Sequence, residues 1–144
     1  MTTIKRPLAA AGVAVLLGLT LSACGGSYPE DASKKDFCGG LKDAATASTN
    51  VKGEEPNEAE WKKIQKSYGD LGDIGTPKGI GKDERAGFEV IVDAITGLDY
   101  DKAKKSFGNK DGSNEIPGVS KDDEKKAEKF FTYAASTCAS ELAG

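Results

Sequence analysis

The sequence predicts an all-α protein, an antiparallel four-helix bundle with a short extra helix. Three observations predict it. Apolar residues recur at helical spacing and never alternate for long as a strand would. Glycines, prolines and cap-forming residues punctuate the chain between those stretches. The connections between the main stretches are fairly short, which favours antiparallel neighbours.

The first helix is expected over 32–47, capped by Asp31 or Ser33, with Phe37, Cys38, Leu41 and Ala45 on its apolar stripe. Gly39 and Gly40 fall inside it, each costing about 1 kcal/mol relative to alanine. Either the helix begins after them or a neighbour packs closely there. The second helix is expected over 58–72. Asn57 and Glu60 have capping-box spacing behind Pro56, and Trp61, Ile64, Tyr68 and Leu71 share one face. The segment GDIGTPKGIG (72–81) then breaks the chain. A third helix over 83–98 points Phe88, Ile91, Val92 and Ile95 inward. A short helix over 100–107 follows, opened by Asp99 and closed by Gly108, and residues 108–119 read as a polar loop. The last helix is expected over 121–142, marked by Ser120 and Asp123. Ala127, Phe130, Phe131, Ala134, Cys138 and Leu142 form its buried stripe. Tyr28 and Tyr100 lie outside the apolar stripes and read as candidates for exposed contact residues; the alternative for Tyr28 is a place at the membrane interface.

Ahead of these elements stands a targeting segment. Lys5 and Arg6 precede LAAAGVAVLLGLTL (8–21), an uncharged run. Charge followed by a short apolar run is the order of a secretory signal. A membrane span needs about 20 apolar residues, so the run is short for a stable transmembrane helix. Its end, Leu21-Ser22-Ala23-Cys24, resembles the lipobox of bacterial lipoproteins: an aliphatic residue and two small ones before a cysteine. The resemblance implies cleavage before Cys24, a diacylglyceryl thioether on its sulfur, and N-acylation in some bacteria. Two or more acyl chains anchor stably where one is marginal. The competing readings are an ordinary secretory signal that ends in cysteine and an uncleaved anchor helix.

On the lipobox reading, residues 1–23 are a removed signal peptide, 24–31 a lipidated tether and 32–144 the extracytoplasmic domain. Residues 25–31 would reach about 25 Å when fully extended. The chain has 20 basic and 23 acidic residues, and the signal takes away Lys5 and Arg6, which leaves 18 against 23 and a net charge of −5. That balance disfavours nucleic acid and adhesion to anionic lipid, so the acyl chains must supply the membrane attachment. With Cys24 acylated, Cys38 and Cys138 remain, and they are expected to pair in a compartment that permits disulfides. A redox-active pair is the competing reading, without C-x-x-C spacing to support it. Cys38 lies early in the first helix and Cys138 late in the last. An up-down-up-down bundle puts those points at one end, so pairing and topology agree.

The chain has no histidine, which removes histidine-dependent triads and histidine metal sites. Residues 75–83, GTPKGIGKD, look superficially like a phosphate loop. Thr76 stands where that motif needs glycine, and Asp83 where it needs Ser or Thr. Asp99, Asp101, Asp111, Asn114 and Glu115 offer oxygen ligands for calcium. EF-hand spacing fails, because the twelfth position is Lys110 from Asp99 and Ser120 from Asn109. Carboxylate pairs for glycoside hydrolysis are available, but runs such as Asp122-Asp123-Glu124-Lys125-Lys126 read as solvated faces. No metal or cofactor is expected.

The whole resembles the small helical lipoproteins of high-GC Gram-positive bacteria, a resemblance that carries no activity or site. The leading expectation is a non-catalytic interaction or binding module on the outer face of the cytoplasmic membrane, with an envelope or extracellular protein as partner. A carrier of an apolar ligand or lipid comes second, and a hydrolase of wall glycans third. The tether and the loop at 72–82 are expected at the cysteine end, the loops at 48–57 and 99–119 at the opposite one. The expected partner surface is Tyr100, Asp101, Asn109, Asp111, Asn114 and Glu115.

Overall fold

A computed structural model describes residues 28–107 and 118–142. The order is α1 (Lys34–Thr49), α2 (Glu58–Ile74), α3 (Lys82–Gly97), α4 (Tyr100–Phe107), α5 (Lys121–Thr137) and α6 (Ala139–Leu142). Among the described residues no strand occurs. The one extended feature is an isolated parallel bridge between Ala32 and Pro77.

Local chemistry starts the helices. Ser33 caps α1, its hydroxyl accepting from the Asp36 N–H at 3.1 Å. Asn57 and Glu60 close a reciprocal capping box on α2, with bonds of 3.0 and 2.9 Å. Ser120 caps α5 through the Asp123 N–H. The side chain of Asp99 accepts from Lys102 N at 3.0 Å and opens α4. At the other end of α3, Gln65 Nε2 is shared among the carbonyls of Ile95, Thr96 and Leu98. A neighbouring helix thus satisfies carbonyls that the end of α3 leaves open.

Packing is most extensive between α3 and α5, then between α1 and α2 and between α2 and α3, while α1 meets α5 and α6 more lightly. Two apolar clusters result. The larger joins Phe37, Leu71, Phe88, Ile91, Val92 and Phe130 around the cysteines. The smaller gathers Trp61, Ile64 and Ala103 at the opposite end, with Val51, Leu98 and Tyr100 against them. Cys38 and Cys138 form a disulfide with Cα atoms 5.4 Å apart, joining α1 to the α5–α6 junction across 100 residues of sequence. Both cysteines are fully buried.

Several expected positions shift. Ala44, not Ala45, faces the core from α1. Phe131 is 51% exposed and Leu142 41%, so neither belongs to the buried stripe. Phe130 fills the inward place that its neighbour cannot share, since adjacent helical residues diverge by about 100°. The last helix breaks at Cys138, where the backbone leaves helical geometry and Glu141 N and Leu142 N both return to the Cys138 carbonyl. Helix α2 runs on to Ile74, into the stretch read as a break.

Glycines divide by environment. A Cβ on Gly40 would lie 2.8 Å from Ile74 Cδ1 and 3.1 Å from Leu71 Cδ1, so α2 does pack closely there. Around Gly39 nothing lies within 4 Å. A Cβ on Gly87 would run into the backbone of Lys126 and Ala127, which is how α3 and α5 come so near each other. Gly87→Ala is therefore expected to cost about 1–3 kcal/mol. Gly39→Ala is expected to add about 0.5–1 kcal/mol, because the glycine penalty is removed without a clash. Urea denaturation of the two variants beside the parent checks both signs.

Candidate functional site

A dense polar constellation lies at the first of the described residues, 28–32. Residues 28–32 lie along the loop after α2. Thr76 N donates to Pro29 O at 2.9 Å, and Ala32 N donates to Thr76 O at 3.1 Å. The turn depends on Gly75, whose φ is +77° and whose Cβ position is filled by Pro29. Thr76 is fully buried.

Arg85, on the first turn of α3, ties this strap down. Its Nη2 donates to Tyr28 O at 2.7 Å, and its Nη1 donates to Thr76 Oγ1 at 2.7 Å and to Pro29 O at 3.2 Å. The Nε faces Glu30 at 3.0 Å and Glu89 at 3.1 Å. The fork geometry of guanidinium suits such a cluster of acceptors. Glu89 Oε1 is buried and makes no aligned hydrogen bond, so its attraction to Arg85 is Coulombic rather than a shared proton. Burial raises the Glu89 carboxyl above its ordinary range, Arg85 opposes that rise, and Asp93 and Glu30 add to it. The Tyr28 ring packs edge-on against Phe88 with centroids 5.6 Å apart and rests where Gly72 has no side chain. Its hydroxyl donates to Asp93 at 2.5 Å.

Residues 28–31, read as tether, are thus part of the folded body, and Tyr28 is a packing residue rather than a free contact. Burial first, then the Asp93 hydrogen bond and carboxylate, push the Tyr28 phenol from 10.0 up to about 12. A raised folded value means that the native state holds this proton more tightly than the unfolded chain. The contribution is complete below pH 10 and is lost as pH climbs from 10 towards 12. Alkaline titration of stability should therefore be flatter in Tyr28→Phe than in the parent across that window.

At the opposite end, Trp61 Nε1 donates to Leu98 O at 3.0 Å and the Tyr100 hydroxyl to Pro56 O at 3.2 Å. The loop at 50–57 and α4 are thereby held side by side. Tyr100 itself is partly buried and spends its hydroxyl within the fold. Asp101 is exposed and edges a groove of about 510 Å³ with Glu55, Lys104 and Lys105. Asn109, Asp111, Asn114 and Glu115 lie outside the described residues, as does Cys24. Larger open grooves run between α1 and α2, about 560 Å³ with Asp43, Lys63 and Asp70 on its walls, and between α3 and α5, about 530 Å³ with Glu84, Lys125 and Glu128. All three are edged by charges of both signs.

Among the described residues no group of three or more acidic or cysteine side chains could hold a metal ion. No described helix is long and apolar enough to cross a membrane. Asp122 and Asp123 pair with Lys125 and Lys126 at 3.7 and 2.7 Å along α5, with Asp122 and Lys125 well exposed. The loop at 75–81 commits its Thr76 N–H and hydroxyl to the strap and Arg85. The sequence reading missed the Arg85 centre. One signal for it existed: in a chain of 20 basic residues, Arg85 is the one arginine besides Arg6, and the rest are lysines.

No protein-family model, curated protein or solved structure matches the chain.

Proposed function

We propose that the protein is a lipid-anchored binding module of the cell envelope, held on the outer face of the cytoplasmic membrane and without catalytic activity of its own. One observation carries the reading: of three cysteines, two are bonded to each other inside the body, and the third stands at the last position of a lipobox-like sequence. A buried disulfide fits an oxidising compartment. We further read the main helices as an up-down-up-down bundle. The strap beside the loop at 75–77 at one end and the bond between Tyr100 and Pro56 at the other support that order.

The non-catalytic reading draws on side-chain chemistry. No histidine is available, and the sulfurs of Cys38 and Cys138 are bonded. A raised carboxyl in a cleft would favour an enzyme. Glu89 is raised, but Arg85 stands against it beneath the strap, and a structural role accounts for it. The grooves, edged by charged side chains, suit polar contacts with a partner better than an enclosed apolar ligand.

Mass spectrometry of the membrane fraction from expressing cells tests the anchor. The expected species begins at Cys24 with acyl mass added and carries the intact disulfide. Cys24→Ser should release the chain from the membrane with its helical content unchanged. An unmodified mature protein in the medium would overturn the reading. Cross-linking of the anchored protein in intact cells identifies what the module holds.

A further inference from the structure

We infer that the Arg85 clamp orients the body on the bilayer, so that the end formed by the loop at 75–81, the start of α1 and α6 rests on the lipid surface. The inference deepens the anchored reading and rests on Cys24 as the point of attachment.

The argument begins with reach. With residues 28–32 bound to the body, only residues 25–27 separate Cys24 from Tyr28. Four residue steps extend about 14 Å at most. That upper limit is about half of what a tether of residues 25–31 would allow. Tyr28 lies beside the last turn of α2, against Gly72, and Pro29 fills the space at Gly75. Helix α2 is about 25 Å long at 1.5 Å per residue. The anchor therefore reaches less far than the body is long. It must sit near the end where α2 finishes, and the Trp61–Tyr100 end is held away.

The composition of that end fits contact with headgroups. Tyr28–Ala32 and the loop at 75–77 share it through the bridge between Ala32 and Pro77. The start of α1 and α6 share it through the disulfide; the Glu141 carboxyl is held below its ordinary range chiefly by the Ser140 hydroxyl and in smaller part by the charge of Lys34. Leu142 is 41% exposed there. Pro77 and Ile80 are partly exposed, and Lys34, Lys35 and Lys78 are exposed. Glu30, Asp31 and Asp36 are exposed at the same end. Mixed charge means that anionic lipid is not required. Proximity enforced by the short link, with Leu142 and Ile80 at the interface, brings the surfaces together.

The test uses the mature chain beginning at Cys24, with the other two cysteines oxidised so that Cys24 is its one thiol. Coupling that thiol to a maleimide lipid in phosphatidylcholine vesicles fixes the anchor chemically. The result is then independent of whether cells acylate Cys24. Nitroxide-headgroup lipid serves as quencher. Trp61 is the only native tryptophan and reports on the far end. Lys78→Trp and Leu142→Trp each add one reporter at the near end. The added tryptophans should be quenched several-fold more than Trp61 in the unsubstituted chain. A flexible Gly-Ser insert between Gly26 and Ser27, ahead of Tyr28 in the sequence, should erase the difference as it lengthens. Equal quenching of all three positions, or none, would overturn the inference. Quenching at 78 without quenching at 142 would also overturn it, since the body would then lie on its α2–α3 flank. Persistence of the contrast with a long insert would show that the clamp is not what orients the body.

Discussion

Loss of the Cys38–Cys138 bond is expected to remove about 4–5 kcal/mol of stability. A loop of roughly 100 residues is released into the unfolded ensemble, and the chain-entropy model assigns such a loop that magnitude. A small domain has only about 5–15 kcal/mol in total. The bond also joins parts that otherwise hold each other weakly, since α1 touches α5 and α6 only lightly. Reduction should therefore free α6 and the start of α1 before it disturbs the α3–α5 pair. Urea denaturation of the oxidised protein against Cys38→Ala/Cys138→Ala, followed by circular dichroism, measures the loss. A difference below about 1 kcal/mol would show that packing alone secures the two ends.

Arg85→Met is expected to cost about 3 kcal/mol, the low end for removing one partner of a buried ion pair, since the two side chains keep 11% and 16% exposure. The substitution keeps most of the side-chain volume but leaves the carbonyl of Tyr28 and the Thr76 hydroxyl without their donor and the Glu89 carboxylate without its counter-charge. Burial already raises Glu89, and Arg85 is the group that opposes the rise. Without the arginine, the folded-state value climbs further above the unfolded one. Stability is then present at pH below the unfolded value and lost as pH rises through the folded one. The deficit of Arg85→Met should accordingly be larger at neutral than at mildly acidic pH. Adding Glu89→Gln should recover part of it at neutral pH. An equal deficit at both pH values would locate the damage in the strap's hydrogen bonds instead of in the stranded carboxylate.

The helices and their starts were legible because the signals are local. A serine, asparagine or aspartate oxygen meets an N–H three residues on, and Ser33, Asn57 with Glu60, Asp99 and Ser120 each do so. Pairing of Cys38 with Cys138 was legible from cysteine parity once Cys24 was set aside, and from helix order. Which of two similar neighbours turns inward was not legible. Ala44 and Ala45, or Phe130 and Phe131, give the same hydropathy to either choice, and the difference of one position is decided by the partner helix. The strap was illegible for another reason. Its bonds join residues 28–32 to 76 and 85, and no spacing within the strap announces a partner more than 40 residues away. For the expected partner surface, Tyr100 turned out to brace Pro56, whereas Asp101 does face solvent.

The 100-residue interval between the bonded cysteines also bears on how the chain matures. A protein exported amino terminus first delivers Cys38 long before Cys138 arrives. On the anchored reading, the one other thiol outside during that wait is Cys24, fourteen positions upstream by the numbering, and oxidation of Cys24 with Cys38 by the compartment would trap the wrong crosslink. A thioether on Cys24, as the anchored reading proposes, would withdraw the competitor from oxidation. On the anchored reading, acylation does a second job: it leaves a single possible crosslink when the carboxyl-terminal helix finally emerges.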